Sequence, residues 1–232
     1  MERYKIMNGS WLKVLAMVSM AIDHTAFWVL RGDADFMAPL FVVGSRPVSW
    51  YYLMRCVGRL AFPLFAFLIV EGFVHTHDRR KYGRNLLLFA LVSEIPWVLL
   101  HHGLHLSGHN VMFTLLAGFL GLCAIERYRM QPARLAGILL GMMAVLIVLS
   151  PDYGGTGFAF IVLLYTLRRH LLLQVVVGSF MLPSRWIAGL GFIPIALYNG
   201  QRGFIQGQWA KYLFYAFYPL HLLLIYVVQQ MR

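Results

Sequence analysis

Nine apolar runs follow one another along the 232-residue chain, separated by short polar breaks, and few folds are open to such a pattern. They cover residues 11–30, 48–74, 85–101, 110–125, 135–150, 157–167, 171–182, 186–198 and 212–228. A helix of about 20 mostly apolar residues crosses the hydrocarbon core of a bilayer, and shorter ones are accommodated inside a bundle. In lipid every backbone polar group needs an internal partner, so runs of this kind fold as helices. The sixth, seventh and eighth runs are short and two of them could merge, which brackets the count at eight to ten. The expected fold is therefore all-α, a polytopic integral membrane bundle of about nine helices.

Composition agrees. The chain is 60% hydrophobic and 12% charged, where soluble domains carry about 25% charge. Mean hydropathy is +0.68. These values exclude a disordered chain, a coiled coil, a disulfide-stapled secreted scaffold and most soluble nucleic-acid binders. Cys56 and Cys123 each sit inside an apolar run without metal-type spacing and read as structural thiols.

The net charge of +11 reports topology. With the N-terminus in the cytoplasm and loops alternating, Arg3, Lys5, Lys13, the Arg79–Arg84 run, Arg127, Arg129, Arg134, Arg168, Arg169, Arg202 and Lys211 fall inside. Only Arg31, Arg46, Arg185 and Arg232 fall outside. That bias is the positive-inside rule, and it predicts a multi-pass protein with a cytoplasmic N-terminus. The first run is too long for a signal-peptide core and carries Asp23 and His24. With no linker, repeat or low-complexity stretch, residues 1–232 read as one integral domain whose surroundings are membrane lipid. No basic stripe for nucleic acid is present.

Ionisable groups inside spans cost a few kcal/mol on insertion scales. Here they are Asp23 and His24 in the first run; Arg55, Arg59 and Glu71 in the second; Glu94 in the third; and His221 in the last. Asp23 and His24 are adjacent, about 100° apart on a helix, so they do not face each other. The expectation is Asp23 paired with an arginine from another helix and His24 turned toward a cavity. Pro63 leaves the carbonyl of Arg59 without its helical donor, predicting a kink with a cation beside it. Arg59 and Glu71 lie twelve residues apart, about 18 Å along a helix, and cannot pair. Prolines also accompany Glu94 (Pro96) and His221 (Pro219), which predicts an unwound stretch and a kink.

Outside the spans, His75 to Arg84 is the densest cationic run. Contact with anionic lipid explains it, as does capture of a phosphorylated cytosolic ligand by arginine forks. His101, His102, His105 and His109 share a loop without an acid, so exposed interfacial histidines are expected and no metal. The segments Asp152-Tyr153-Gly154 and Tyr198-Asn199-Gly200, the latter followed by Arg202, read as turns.

Taken together, Ile22-Asp23-His24, Gly58-Arg59 with Ala61-Phe-Pro-Leu-Phe-Ala-Phe67, Glu71-Gly72, Ser93-Glu94-Ile-Pro96, Phe113-Thr114, Asp152-Tyr153-Gly154, Tyr198-Asn199-Gly200 and Tyr215-x-Phe-Tyr218-Pro219-x-His221 resemble the TraX family, in order, from about residue 12 to 226. That family is named for N-acetylation of a conjugative pilin and is related to transmembrane acyltransferases of sugars, lipids and cell-wall polymers. The resemblance implies an enzyme that moves acetyl from cytosolic acetyl-CoA to an amine or hydroxyl: a pilin N-terminus, a sugar or an envelope polymer. It implies His24 as the catalytic residue and Arg79, Arg80 and Arg84 as donor-binding groups, with a different arginine spacing. Chemistry adds Asp23 as the orienting acid and Arg59 as an oxyanion or donor contact. Glu71, His75, Glu94, Asp152, Tyr153, Asn199, Arg202, Tyr218 and His221 complete the expected pocket. Both direct transfer and an acetyl-His24 relay are open. The rival functions are a proton-coupled transporter, against which the missing internal repeat counts, and a non-catalytic pilus or envelope assembly factor.

Overall fold

Side-chain caps set where several of the helices begin in the computed structural model, which describes residues 5–101, 108–182 and 185–231. Asn8 accepts from the amides of Ser10 and Trp11 and opens α1, Gly9–Thr25. Ser49 caps α3 (Trp50–Gly58), Asp78 caps α5 (Arg79–Leu100) and Asn110 caps α6 (Val111–Arg127). Each supplies an acceptor to amides that have no intrahelical partner. The other helices are α2 (Ala34–Met37), α4 (Ala61–His75), α7 (Pro132–Leu149), α8 (Gly154–Thr166), α9 (Leu171–Met181), α10 (Arg185–Gly189), α11 (Phe192–Ala196) and α12 (Gly207–Gln230).

Among the described residues, five stretches are long and apolar enough to cross a membrane: Gly9–Leu30, Trp50–His75, Arg79–Leu100, Pro132–Leu149 and Tyr212–Gln230. The chain is thus a mainly helical membrane protein. The other apolar runs give α6, α8, α9 and the α10–α11 pair, all shorter than the roughly 20 residues a full crossing takes. Their apolar faces are legible in the sequence, but their lengths are set by the turns that end them. α7 shows the lipid-type surface most clearly: Leu140, Ile147 and Val148 are each about 70% exposed, which in water would be an aggregating face.

One sequence expectation is corrected, and a short hairpin joins the helices. β1 (Pro39–Val43) pairs antiparallel with β2 (Arg46–Ser49). Gly44, at φ +63°, makes the tight turn between them. The third run is not unwound at Glu94, since α5 continues through Pro96 to Leu100. α12 holds Pro219 within one continuous helix. A break does occur in the second run, at Arg59 and Leu60, between α3 and α4. Pro63 then falls in the first turn of α4, where its missing N–H costs little.

The described residues gather into two compact units. The first comprises residues 1–65 and 186–232, the second residues 66–185. In the first, α1 packs against α3 and α12. The segment before α1 is stitched to the segment before α12: Met7 N–H donates to Leu197 O (3.0 Å), Asn199 N–H to Met7 O (2.9 Å) and Gly9 N–H to Gln201 O (2.7 Å). Leu12, Ala16, Ala26, Leu222 and Ile225 are among its buried side chains.

In the second unit α6 packs against α5, α7 and α8, and α9 against α8. A Cβ on Gly118 or Gly121 of α6 would strike Ile161 or Phe158 of α8, so glycine there permits the close approach. Phe73, Phe119 and Tyr165 form an edge-to-face cluster with centroids 5.5–5.6 Å apart around Phe73.

Candidate functional site: an imidazole pair beside a half-buried ion pair

Asp23 and His24 leave the last turn of α1 in different directions, as their spacing requires. Asp23 meets Arg55 of α3: Arg55 Nη1 lies 2.5 Å from Asp23 Oδ2, with side-chain exposures of 19% and 17%. The ring of Phe27 takes the other side of the guanidinium, 4.9 Å from its centroid. Gly58, buried one turn beyond Arg55, has no side chain because a Cβ there would coincide with the Asp23 carboxylate. The charge of Arg59 also reaches Asp23. Arg59 is half-buried and, among the described residues, joins no ion pair of its own. Pairing of Asp23 with an arginine from another helix follows the sequence expectation; that Arg55 is the partner does not follow from the sequence alone.

His24 turns to α12. Its Nδ1 lies 2.7 Å from Nε2 of His221. The two rings are within 10° of coplanar with centroids 5.0 Å apart. That separation is close to the N···N distance plus one ring radius on each side, so the rings meet edge to edge through one hydrogen bond. His221 is 8% exposed, its Nδ1 is 3.0 Å from the Phe217 carbonyl one turn back, and its ring stacks on Phe217. Tyr218 borders both imidazoles at 6.4 and 5.5 Å between centroids. His24 itself is only half-buried. Asp23, His24, Arg59, Tyr218 and His221 are thus brought together in the first unit.

Asn199 and Arg202 of the same unit lie elsewhere. Asn199 Oδ1 accepts from Gln201 N–H (2.9 Å), and at the start of α1 Ser10 Oγ donates to Arg202 O (3.0 Å). That is some fourteen residues, about 20 Å along the helix, from His24.

The second unit holds two polar clusters, near opposite ends of α5. At the first, Arg79 Nη1 is 2.6 Å from Glu126 Oε2, Tyr165 donates its hydroxyl to Glu126 Oε1 (2.9 Å), and Arg79 lies over Phe73. The hydrogen bond from Arg79 holds the Glu126 carboxyl below its usual range, helped by Tyr165. Glu126 sits one residue beyond the apolar run 110–125. Arg80 and Arg84, one turn apart, are exposed and join no ion pair among the described residues. Glu71 and His75 form a local pair, Oε2 to Nδ1 3.6 Å.

At the other cluster Glu94 Oε1 is 2.6 Å from His109 Nδ1. Glu94 Oε2 accepts from the backbone N–H (3.2 Å) and side-chain Nδ2 (2.5 Å) of Asn110. Asp152 N–H donates to His109 O (2.8 Å), and Thr114 Oγ1 donates to Asp152 O (2.7 Å). Tyr153 follows at φ +63°. His109 is therefore not the exposed interfacial histidine expected; its acid comes from the preceding helix, beyond its own loop. His102 and His105 lie outside the described residues. No metal-holding group of His, Cys, Asp or Glu occurs among the described residues.

Helices of membrane-crossing length, with an imidazole pair and an ion pair at the contact of α1, α3 and α12, define a membrane protein with polar chemistry held inside its spans. The model of the TraX protein family matches residues 8–229, and the chain belongs to that family. It is 28% identical over 245 residues to the probable fimbrial assembly protein FimC, serogroup H1, of Dichelobacter nodosus, with 92% of each chain covered. No solved structure matches the chain.

Proposed function

We propose that the protein is a membrane-embedded acetyltransferase that takes acetyl from acetyl-CoA and passes it to an amine or hydroxyl. The observation that carries this reading is His24, a half-buried imidazole in a membrane-length helix whose Nδ1 is engaged by a second imidazole. An amine or hydroxyl attacks a thioester only as its proton leaves, and neutral imidazole is suited to take it. In the step proposed, the acceptor lone pair bonds to the acetyl carbon while its proton passes to His24. The C–S bond then breaks, and the thiolate of CoA recovers that proton from the imidazolium. Arg59, with its charge only partly engaged by Asp23, is the cation available to the developing oxyanion. Arg80 and Arg84 are the exposed pair suited to diphosphate oxygens, whereas Arg79 is held by Glu126.

The positive-inside charge distribution supports a multi-pass inner-membrane protein with a cytoplasmic N-terminus, which puts Arg80 and Arg84 on the acetyl-CoA side. The fimbrial assembly name of the relative supports a pilus-related acceptor. The test is acetyl release or transfer from labelled acetyl-CoA by the full chain in detergent. His24→Ala should lower the rate about 10²- to 10⁴-fold with an unchanged melting profile. A wild-type rate in that variant refutes the reading.

A further inference from the structure

We propose that His221 is a positioning residue that fixes the tautomer of His24, so that Nε2 of His24 is its reactive nitrogen. The argument begins at Phe217. A backbone carbonyl only accepts hydrogen bonds, so the ring nitrogen 3.0 Å from it, His221 Nδ1, carries the proton. A neutral imidazole has one N–H, which makes His221 Nε2 the lone-pair nitrogen. That nitrogen lies 2.7 Å from His24 Nδ1, and a bond between two ring nitrogens needs one proton. The proton therefore sits on His24 Nδ1, and the lone pair of His24 is left on Nε2.

The chain of donors runs from His24 Nδ1–H to His221 Nε2 and from His221 Nδ1–H to the Phe217 carbonyl. It is anchored at one end by main chain that cannot change role. The near-coplanar rings, the burial of His221 and its stacking on Phe217 hold the alignment. When Nε2 of His24 gains a proton, Nδ1–H remains in place and its bond to His221 becomes charge-assisted. His221 thus does for His24 what a carboxylate does in other base-orienter pairs, without adding a buried negative charge.

This inference deepens the acetyl-transfer reading, and its test separates the two. The full chain, labelled with ¹⁵N-histidine and held in lipid nanodiscs without any acyl donor, reports by NMR which nitrogens of each ring are protonated. Comparison with His24→Ala and His221→Phe assigns the rings. The expected result is His24 protonated at Nδ1 and bare at Nε2 when neutral, with a through-bond N···H–N coupling to His221. His24 protonated at Nε2 in the wild-type protein overturns the proposal, whatever the variants do. His221→Phe keeps an aromatic ring against Phe217 and removes both nitrogens. It should shift His24 toward the Nε2–H form and reduce transfer from acetyl-CoA about a hundredfold. An unshifted tautomer or a wild-type rate in that variant overturns it equally. If the tautomer is as expected and no variant or wild-type protein transfers acetyl, the positioning stands and the acetyltransferase reading falls.

Discussion

Replacing Arg55 by methionine leaves the Asp23 carboxylate buried without its partner, and the cost follows from the geometry. Removing one member of a buried ion pair costs about 3–5 kcal/mol, because the remaining charge is stranded. Both side chains here retain almost a fifth of their surface, so the lower end, about 3 kcal/mol, is expected. Asp23→Asn should cost less, about 2 kcal/mol. The guanidinium would keep its place over Phe27 and its weaker 3.4 Å contact with the Asp23 carbonyl. The double variant, with neither charge, should be no worse than Arg55→Met alone, which gives a coupling energy of about 2 kcal/mol. For a chain of this length 1 kcal/mol corresponds to about 2–4 °C, so Arg55→Met should melt about 6–12 °C below wild type. Thermal unfolding of the four proteins in one detergent measures this cycle. Additive losses, or an Arg55→Met protein as stable as wild type, would refute the assignment of Arg55 and Asp23 as an interdependent buried pair.

Gly58→Ala should mimic that loss, since the new methyl falls on the Asp23 carboxylate. A melting temperature within 1 °C of wild type would show that α1 and α3 yield freely. The Glu126 carboxyl is held below its usual range, so its link to Arg79 and Tyr165 stabilises the fold above the ordinary carboxylate range and is lost as pH falls through the lowered value. The melting-temperature gap between wild type and Glu126→Gln should therefore shrink from neutral pH toward pH 3, and a constant gap counts against it. Arg79→Gln should act mainly on stability, whereas Arg80→Gln with Arg84→Gln should weaken CoA binding about tenfold or more at unchanged stability. Calorimetric titration of CoA with each protein distinguishes these outcomes.

Much of the helical layout is legible because apolar run length translates directly into helix length. The fourth, fifth, sixth and seventh runs each match one helix to within three residues. The hairpin at 39–49 was not, although Val42 and Val43 just before Gly44-Ser45 carry the signal. Pro96 misled, since a proline removes one hydrogen bond and neighbouring turns can absorb the loss. At the site, single-helix geometry separated Asp23 from His24 correctly. It could not choose between Arg55 and Arg59, four residues apart, because that depends on where the break between α3 and α4 falls. Nor could it join His24 to His221, whose contact is fixed by the packing of α1 on α12. Glu94 with His109 escaped for a related reason: the acid was sought in the loop and stood on the helix before it.

The two imidazoles of the site are 197 residues apart in the chain, and the unit that holds them is closed by its first and last segments. At about 5–20 residues per second, a ribosome takes roughly 10–40 s to travel from one to the other. Throughout that interval α1 waits in the translocation machinery or the bilayer without its partner, and a chain stopped short of α12 has half a dyad. The imidazole pair therefore exists only once α12 has been made, and a chain stopped before it carries His24 without His221.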